Sequence, residues 1–458
     1  MGEPASGTGA AGSVAPTGGA GAASRRRWRW RGRPRWQLVT AAVVAGLLVL
    51  GVVAVIAYRV LAPAEVVTPA GYLPTPPAAE PGPVARLSAA PLLVDGRLRV
   101  YATTRQMRAD GPIDMRTQAT PAWSFRRWPQ QLIGVAAAGT TVTSRWSDGE
   151  IVAIDARTGE VSWRVAGPVP GQSEYAGRRT GAQTVYAPSG LHTGTTADGR
   201  RLVVARGESQ VLGVDLATGR ELWRTELPGQ GDACRAAGFT TTGGQLALVN
   251  GCAAPPTLEL YDLSTGQLAQ TWQPEGAGPG LAVEPLGCTV ARSHCAGLRT
   301  TGAGESRGWL VDGPDPVPAP PLDPVDTMLV DGLAIGQDPG SGEVVANSAR
   351  TGVPVWRTDA PARRAPDGDG ARLIAVQPGQ AHLLTGDRQL ITLDSGSGAE
   401  LSRFVLIMPS ERITDWAPGY VYAQSGFVAI ERLRLPVDPD ADDGRYYRLQ
   451  ETVILANT

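Results

Sequence analysis

The residues best suited to chemistry in this 458-residue chain are four cysteines, Cys234, Cys252, Cys288 and Cys295, and three histidines, His192, His294 and His382. The histidines fall in no His-Glu-x-x-His or other helical metal spacing and read as ordinary strand or loop positions. No Gly-x-Ser-x-Gly elbow presents a serine nucleophile. Glycine-rich stretches sit at hairpins with no following helix and no phosphate-binding lysine, since all 42 basic residues are arginine. The cysteines are placed as hairpin partners. Cys234 and Cys252 are equidistant from Gly243, and Cys288 and Cys295 are symmetric about a two-residue loop at Ala291-Arg292. Residues directly opposite in an antiparallel ladder lie within bridging reach, so two disulfides are expected, each worth roughly 2–3 kcal/mol through loop entropy. A zinc site built from these cysteines and His294 is the alternative.

Acidic residues offer one further candidate. Asp438, Asp440 and Asp442 alternate as at the start of a calcium loop, but Asp443 stands where that loop needs glycine and Leu449 where it needs a bidentate glutamate. A solvated acidic turn is the competing reading, and no cofactor is expected.

The elements that must position these residues begin with a membrane segment. Leu38 to Tyr58 is 21 residues without a charge, against the roughly 20 a helix needs to cross hydrocarbon. Residues 1–36 hold seven arginines and one glutamate, a charge of +6, which leaves −7 of the net −1 on residues 59–458. Arginine before the apolar run places residues 1–37 in the cytoplasm, as a disordered tail, and everything after residue 58 outside a plasma membrane crossed once. Trp28, Trp30 and Trp36 suit the headgroup layer. A cleavable signal peptide ending near Ala62-Pro63-Ala64 is the rival, and it also exports the rest. Residues 59–86, with seven prolines between Pro63 and Pro83, read as a semi-rigid linker. An acidic domain without a basic face is not built to displace counterions from a phosphate backbone, so nucleic acid is excluded as a partner.

Residues 87–458 repeat. Glu150 to Trp163 joins an apolar stretch to Asp155, Thr158, Gly159 and Trp163; the same run carries Asp215, Thr218, Gly219 and Trp223. Asp262, Thr265 and Gly266 lead to a slightly later Trp272, while Thr351, Gly352 and Trp356 recur after Ser348, and Asp394 with Gly398 after Leu390. The Thr-Gly anchors at 158, 218, 265 and 351 are 60, 47 and 86 residues apart, so a degenerate unit, with Trp309, is expected inside the last gap. A unit from Leu92 to Trp123 and another from Trp416 to Leu455 complete eight. Aspartate caps a turn through its own backbone and glycine takes positive φ, so Asp-x-x-Thr-Gly closes a tight hairpin between strands. Small sheets that cannot bury their faces alone do so around an axis. The expected fold is all-β: an eight-bladed β-propeller of four-stranded blades, with seven blades as the alternative, after one transmembrane helix.

The run apolar-x-Ala-apolar-Asp-x-x-Thr-Gly, closed by tryptophan, resembles the repeat of the pyrroloquinoline-quinone-like β-propellers, the quinoprotein alcohol dehydrogenase-like superfamily, over roughly residues 87–458. The resemblance implies a fold rather than an activity, because that superfamily holds both dehydrogenases and cofactor-free scaffolds. Its dehydrogenases place adjacent cysteines over the quinone, and none occur here. Ser348 and Ser402 depart from the Asp and Trp positions, which predicts looser blades there. The expected function is a non-enzymatic, membrane-tethered extracytoplasmic module that binds a protein or cell-envelope partner through loops at one face or the channel. An enzyme or small-ligand receptor working in the channel is the alternative.

Overall fold

The computed structural model describes residues 35–76, 80–115, 121–171, 188, 190–228, 234–235, 238–278, 280–302, 305–338, 340–358, 370–408, 411, 416–437 and 450–458. Residues 1–34 of the expected tail and the candidate calcium residues Asp438, Asp440 and Asp442 lie outside these. The chain divides into two units, residues 1–62 and 63–458. In the first, helix α1 runs Arg35–Leu61, starting before and ending after the expected span. Its Val39–Tyr58 stretch has a mean hydropathy of 2.8 with none of it buried, so α1 is long and apolar enough to cross a membrane.

The second unit is an eight-bladed β-propeller. Eight antiparallel sheets follow one another, seven from consecutive strands at residues 92–128, 132–166, 191–226, 238–272, 282–318, 328–358 and 372–405. The eighth is composite. Its three inner strands come from residues 417–457, and its outer strand is β2 (Gly82–Leu87), which pairs with Gln450–Asn457 in the register Leu87↔Val453 and Gly82↔Asn457. The N-terminal and C-terminal ends of the ring thus share one sheet, which closes it. An additional strand, β1 (Ala64–Thr68), lies outside blade 1, paired to Trp123–Trp128.

These pairings correct the reading of residues 59–86 as a linker and of 87 as the start of the ring. The proline-rich stretch carries β1 and β2, and Pro83 is tolerated because an outermost strand has an edge free of ladder bonds. Only Ala62 and Pro63 separate α1 from β1.

Blade cores explain why the strands read as apolar runs and not as strict alternation. In Glu150–Asp155, Val152 and Ile154 pack with Val100, Met107 and Phe125 of blade 1, while Ile151 and Ala153 pack with Val203 and Leu212 of blade 3. Both faces of a middle strand are therefore buried, and both must be apolar. Because each blade is an antiparallel meander, alternate connections share one face of the ring. First-to-second and third-to-fourth strand hairpins form one face, mostly short. Second-to-third turns and connections between blades form the other, which carries the described residues 167–171, 227–228, 234–235, 370–371, 406–408 and 434–437.

Candidate functional site

The repeat residues meet at the seams between blades. Asp215 Oδ1 accepts from the backbone N–H groups of Ala217 and Thr218 and from the Thr218 hydroxyl, at 3.1, 2.9 and 2.8 Å. These bonds hold its carboxyl below the usual range, against the opposing effect of burial. Asp155, Asp262 and Asp394 accept from their own turns in the same way. Gly219 closes the turn at φ 73° and lies flat on Trp163 of the preceding blade, whose indole N–H donates to the Leu216 carbonyl at 2.9 Å. The same latch joins Trp123 to Ala156 and Gly159, Trp223 to Leu263 and Gly266, and Trp356 to Ser395 and Gly398.

Two seams depart from the latch for the same reason. Blades 5 and 8 lack the receiving turn, and in the blades before them the tryptophan position, fixed by register, holds Gln270 and Ser402. Trp272 sits further along and packs edge-on against Trp309 of blade 5, ring centres 4.8 Å apart. Ser348 replaces aspartate yet keeps the turn: its hydroxyl accepts from Thr351 N–H at 3.2 Å, and the Gly352 N–H donates to the Ser348 carbonyl at 2.8 Å. Thr351 and Gly352 therefore sit in a closed hairpin.

Both cysteine pairs are disulfides, Cys234–Cys252 and Cys288–Cys295, and no described cysteine is free, which sets aside the zinc alternative. Among the described residues no group of three or more His, Cys, Asp or Glu side chains could hold a metal. Cys234–Cys252 ties a blade 3-to-4 connection to a turn of blade 4. Beside it Arg235 makes a bidentate pair with Glu259 at 2.6 and 2.7 Å, and Tyr261 and Asn250 donate to the same carboxylate. Three donors hold Glu259 ionised despite burial.

Cys288–Cys295 clamps a feature that the spacing of the cysteines does not reveal. The two inner strands of blade 5, Ala282–Val290 and Ser293–Gly302, are nine and ten residues long, and their hairpin reaches across the ring. Ser293 Oγ accepts from Thr193 N–H of blade 3 at 3.0 Å, the Arg292 carbonyl accepts from Thr240 N–H of blade 4 at 3.1 Å, and Val290 packs on the core of blades 1 and 2. Blade 5 stands opposite blade 1 in a ring of eight, so the hairpin crosses the channel. Its turn needs left-handed backbone at Gly287, Ala291 and His294.

Arginines lie close to His192 beside it. His192 is buried; burial first, then Arg206, Arg292 and Arg145, pushes its imidazole down to about 3, so it is neutral. Arg145 is spent on backbone, donating to the carbonyls of Gly190 and Pro168 at 3.3 Å each. His382, also buried and pushed down to about 3 by burial, lies between Gln377 and Thr392 at 2.9 and 3.2 Å. His294 sits in the blade 5 turn. That turn's Arg292 lies beside His192, whereas His382 belongs to blade 7.

The repeat is PQQ-like. Residues 147–310 match the family model PQQ_2, described as outer membrane protein assembly factor BamB. Among solved structures, the chain is similar to BamB from Moraxella catarrhalis, with 14% identity, 84% of this chain and 100% of that one covered, and a TM-score of 0.36. It is also similar to the C-terminal WD40 domain of Sif2, with 12% identity, 84% and 99% coverage, and a TM-score of 0.40. No curated protein matches the chain.

Proposed function

We infer that the protein is a non-enzymatic platform: a membrane-tethered, extracytoplasmic propeller whose surface binds a protein or cell-envelope partner. The observation that carries this reading is the blade 5 hairpin, which occupies the channel where an enzyme of this architecture would need room for substrate. The matched family, described as an assembly factor, points the same way. Two disulfides suit an oxidising compartment, and arginines ahead of α1 suit a cytoplasmic N-terminus.

The binding face in this reading is the one with the long connections. Loops on a rigid scaffold are where recognition concentrates, and Val169, Val325 and Leu435 are exposed there, at 59%, 69% and 61%. A photo-crosslinking residue at Val169 or Leu435 should capture one stoichiometric envelope partner in intact membranes, whereas the same residue at Glu160 or Arg220, on the hairpin face, should not. Turnover of a small substrate, or crosslinks only to cytoplasmic proteins, would overturn the reading.

A further inference from the structure

We propose that a recess between blades 7 and 8 is a binding site for small organic carboxylates. The recess has a volume of about 360 Å³, apolar walls from Leu384, Ala417, Pro418 and Pro436, and two cations, Arg372 and Arg388. It lies on the face of the long connections, since Leu384 ends a second strand and Ala417 begins a first.

The arginines set the ligand's charge. Neighbouring guanidinium groups are neutralised: Arg403 pairs with Glu400 at 2.6 Å and Arg432 with Glu411 at 2.7 Å. Arg372 and Arg388 have no carboxylate partner among the described residues. Arg388 is also held in place. Its guanidinium carbon stands 5.1 Å from the centre of the Trp416 indole, its Nη1 donates to the Gly386 carbonyl at 3.1 Å, and its buried Nε has no partner. Its backbone is left-handed, at φ 63°, a position glycine would take without strain. An unpaired, oriented guanidinium is a planar fork that fits a carboxylate.

The surroundings narrow the class. Apolar walls favour an anion carried on an apolar body, and the volume admits a ligand of drug-fragment size. Asp387, one residue before Arg388, is held ionised by the hydroxyl of Thr385 first and then by the Gln389 amide. Its charge disfavours a phosphate dianion more than a single carboxylate. The carboxylate can belong to a free acid or to a peptide, and both present the same group. The site is independent of the platform reading, which does not require it.

Calorimetry on the full-length protein in detergent tests the site, with sodium benzoate as probe and benzamide and inorganic phosphate as controls. Benzoate should bind saturably at one site, with both controls at least about tenfold weaker. Arg388→Met should weaken benzoate by about tenfold and Arg388→Lys by less; Arg372→Met, at an exposed position that leaves folding intact, should weaken it several-fold. N-acetyl-leucyl-glutamate binding tighter than benzoate supports a peptide source, and equal binding supports a free acid. Benzamide matching benzoate, absence of saturable binding, or wild-type affinity in the Arg372→Met variant together with Arg388→Lys would each overturn the proposal.

Discussion

Two glycines in blade 3 separate the conformational role of glycine from its role in the inter-blade latch. Gly199 and Gly219 both have positive φ, 84° and 73°, so an alanine at either meets the left-handed penalty of about 1–2 kcal/mol. Around Gly199 an added Cβ meets nothing within 4 Å, whereas at Gly219 it would lie 2.6 Å from Cγ and 2.7 Å from Cδ2 of Trp163. The indole must then move, which adds about 1–3 kcal/mol of overpacking. Movement also strains the 2.9 Å bond to the Leu216 carbonyl, worth about 0.5–1.5 kcal/mol net. Gly219→Ala should therefore be less stable than Gly199→Ala by about 1.5–4.5 kcal/mol, the sum of those two contributions. Urea unfolding of the full-length protein in detergent, followed by tryptophan fluorescence, measures the difference. Variants that agree to within about 0.5 kcal/mol, the ordinary scatter of surface changes, would refute the latch.

Three further outcomes follow from the same geometry. Replacing Cys288 and Cys295 together by serine should cost about 2 kcal/mol for a short loop; hydrogen exchange at the amides of Thr193 and Thr240, which donate to the hairpin tip, should quicken, and unchanged protection there would show that the clamp does not hold the hairpin. His382 titrates at about 3 when folded against an ordinary value of 6.5, so the unfolded chain binds the extra proton between those values, and stability complete above about pH 6.5 is lost as pH falls toward 3. His382→Gln should accordingly flatten the stability slope near pH 4.5 by up to about 1.4 kcal/mol per pH unit, one proton's worth, and a slope unchanged by the substitution would count against a neutral buried imidazole. A chain begun at Gly71, without α1 and β1, should still unfold cooperatively by circular dichroism, while one begun at Ser88, without the closing strand β2, should not; equal transitions would mean that ring closure does not depend on Leu87 and Ala85, which are buried in the last seam.

Legibility in the sequence tracked how local the determining interactions are. Asp215, Thr218 and Gly219 make their bonds within five residues, so the turn is visible as a string. The cysteines were readable because hairpin register is a matter of counting: Cys288↔Cys295 is a direct pair in the ladder. Strand β2 was not readable. What makes Gly82–Leu87 a strand is a partner at residues 450–457, and no local pattern in a proline-rich stretch encodes a pairing that distant. The tip of the blade 5 hairpin was hidden for the same reason, since Thr193, Thr240 and the core of blades 1 and 2 recruit it from outside its own unit. Arg372 and Arg388 carry no motif at all; only the fold brings them to one recess.

Blade 5 shows why a weak repeat can mark a specialised one. Its outer strand is two residues, Val317–Pro318, and its inner pair is the longest in the ring. Without a full outer strand there is no Asp-x-x-Thr-Gly hairpin to receive a tryptophan, and blade 4 accordingly carries Gln270 where the latch would sit. The seam is held by other means: Trp272 against Trp309, and Leu258, Leu260 and Phe239 against Leu298. At this seam tryptophan and glycine turn are missing together, whereas blade 6 keeps its Gly352 turn although blade 5 offers it no tryptophan, the nearest atom to a Cβ there being Pro321 Cγ at 3.8 Å. Blade 5 thus combines an outer edge without the latch turn and an inner hairpin that extends into the channel.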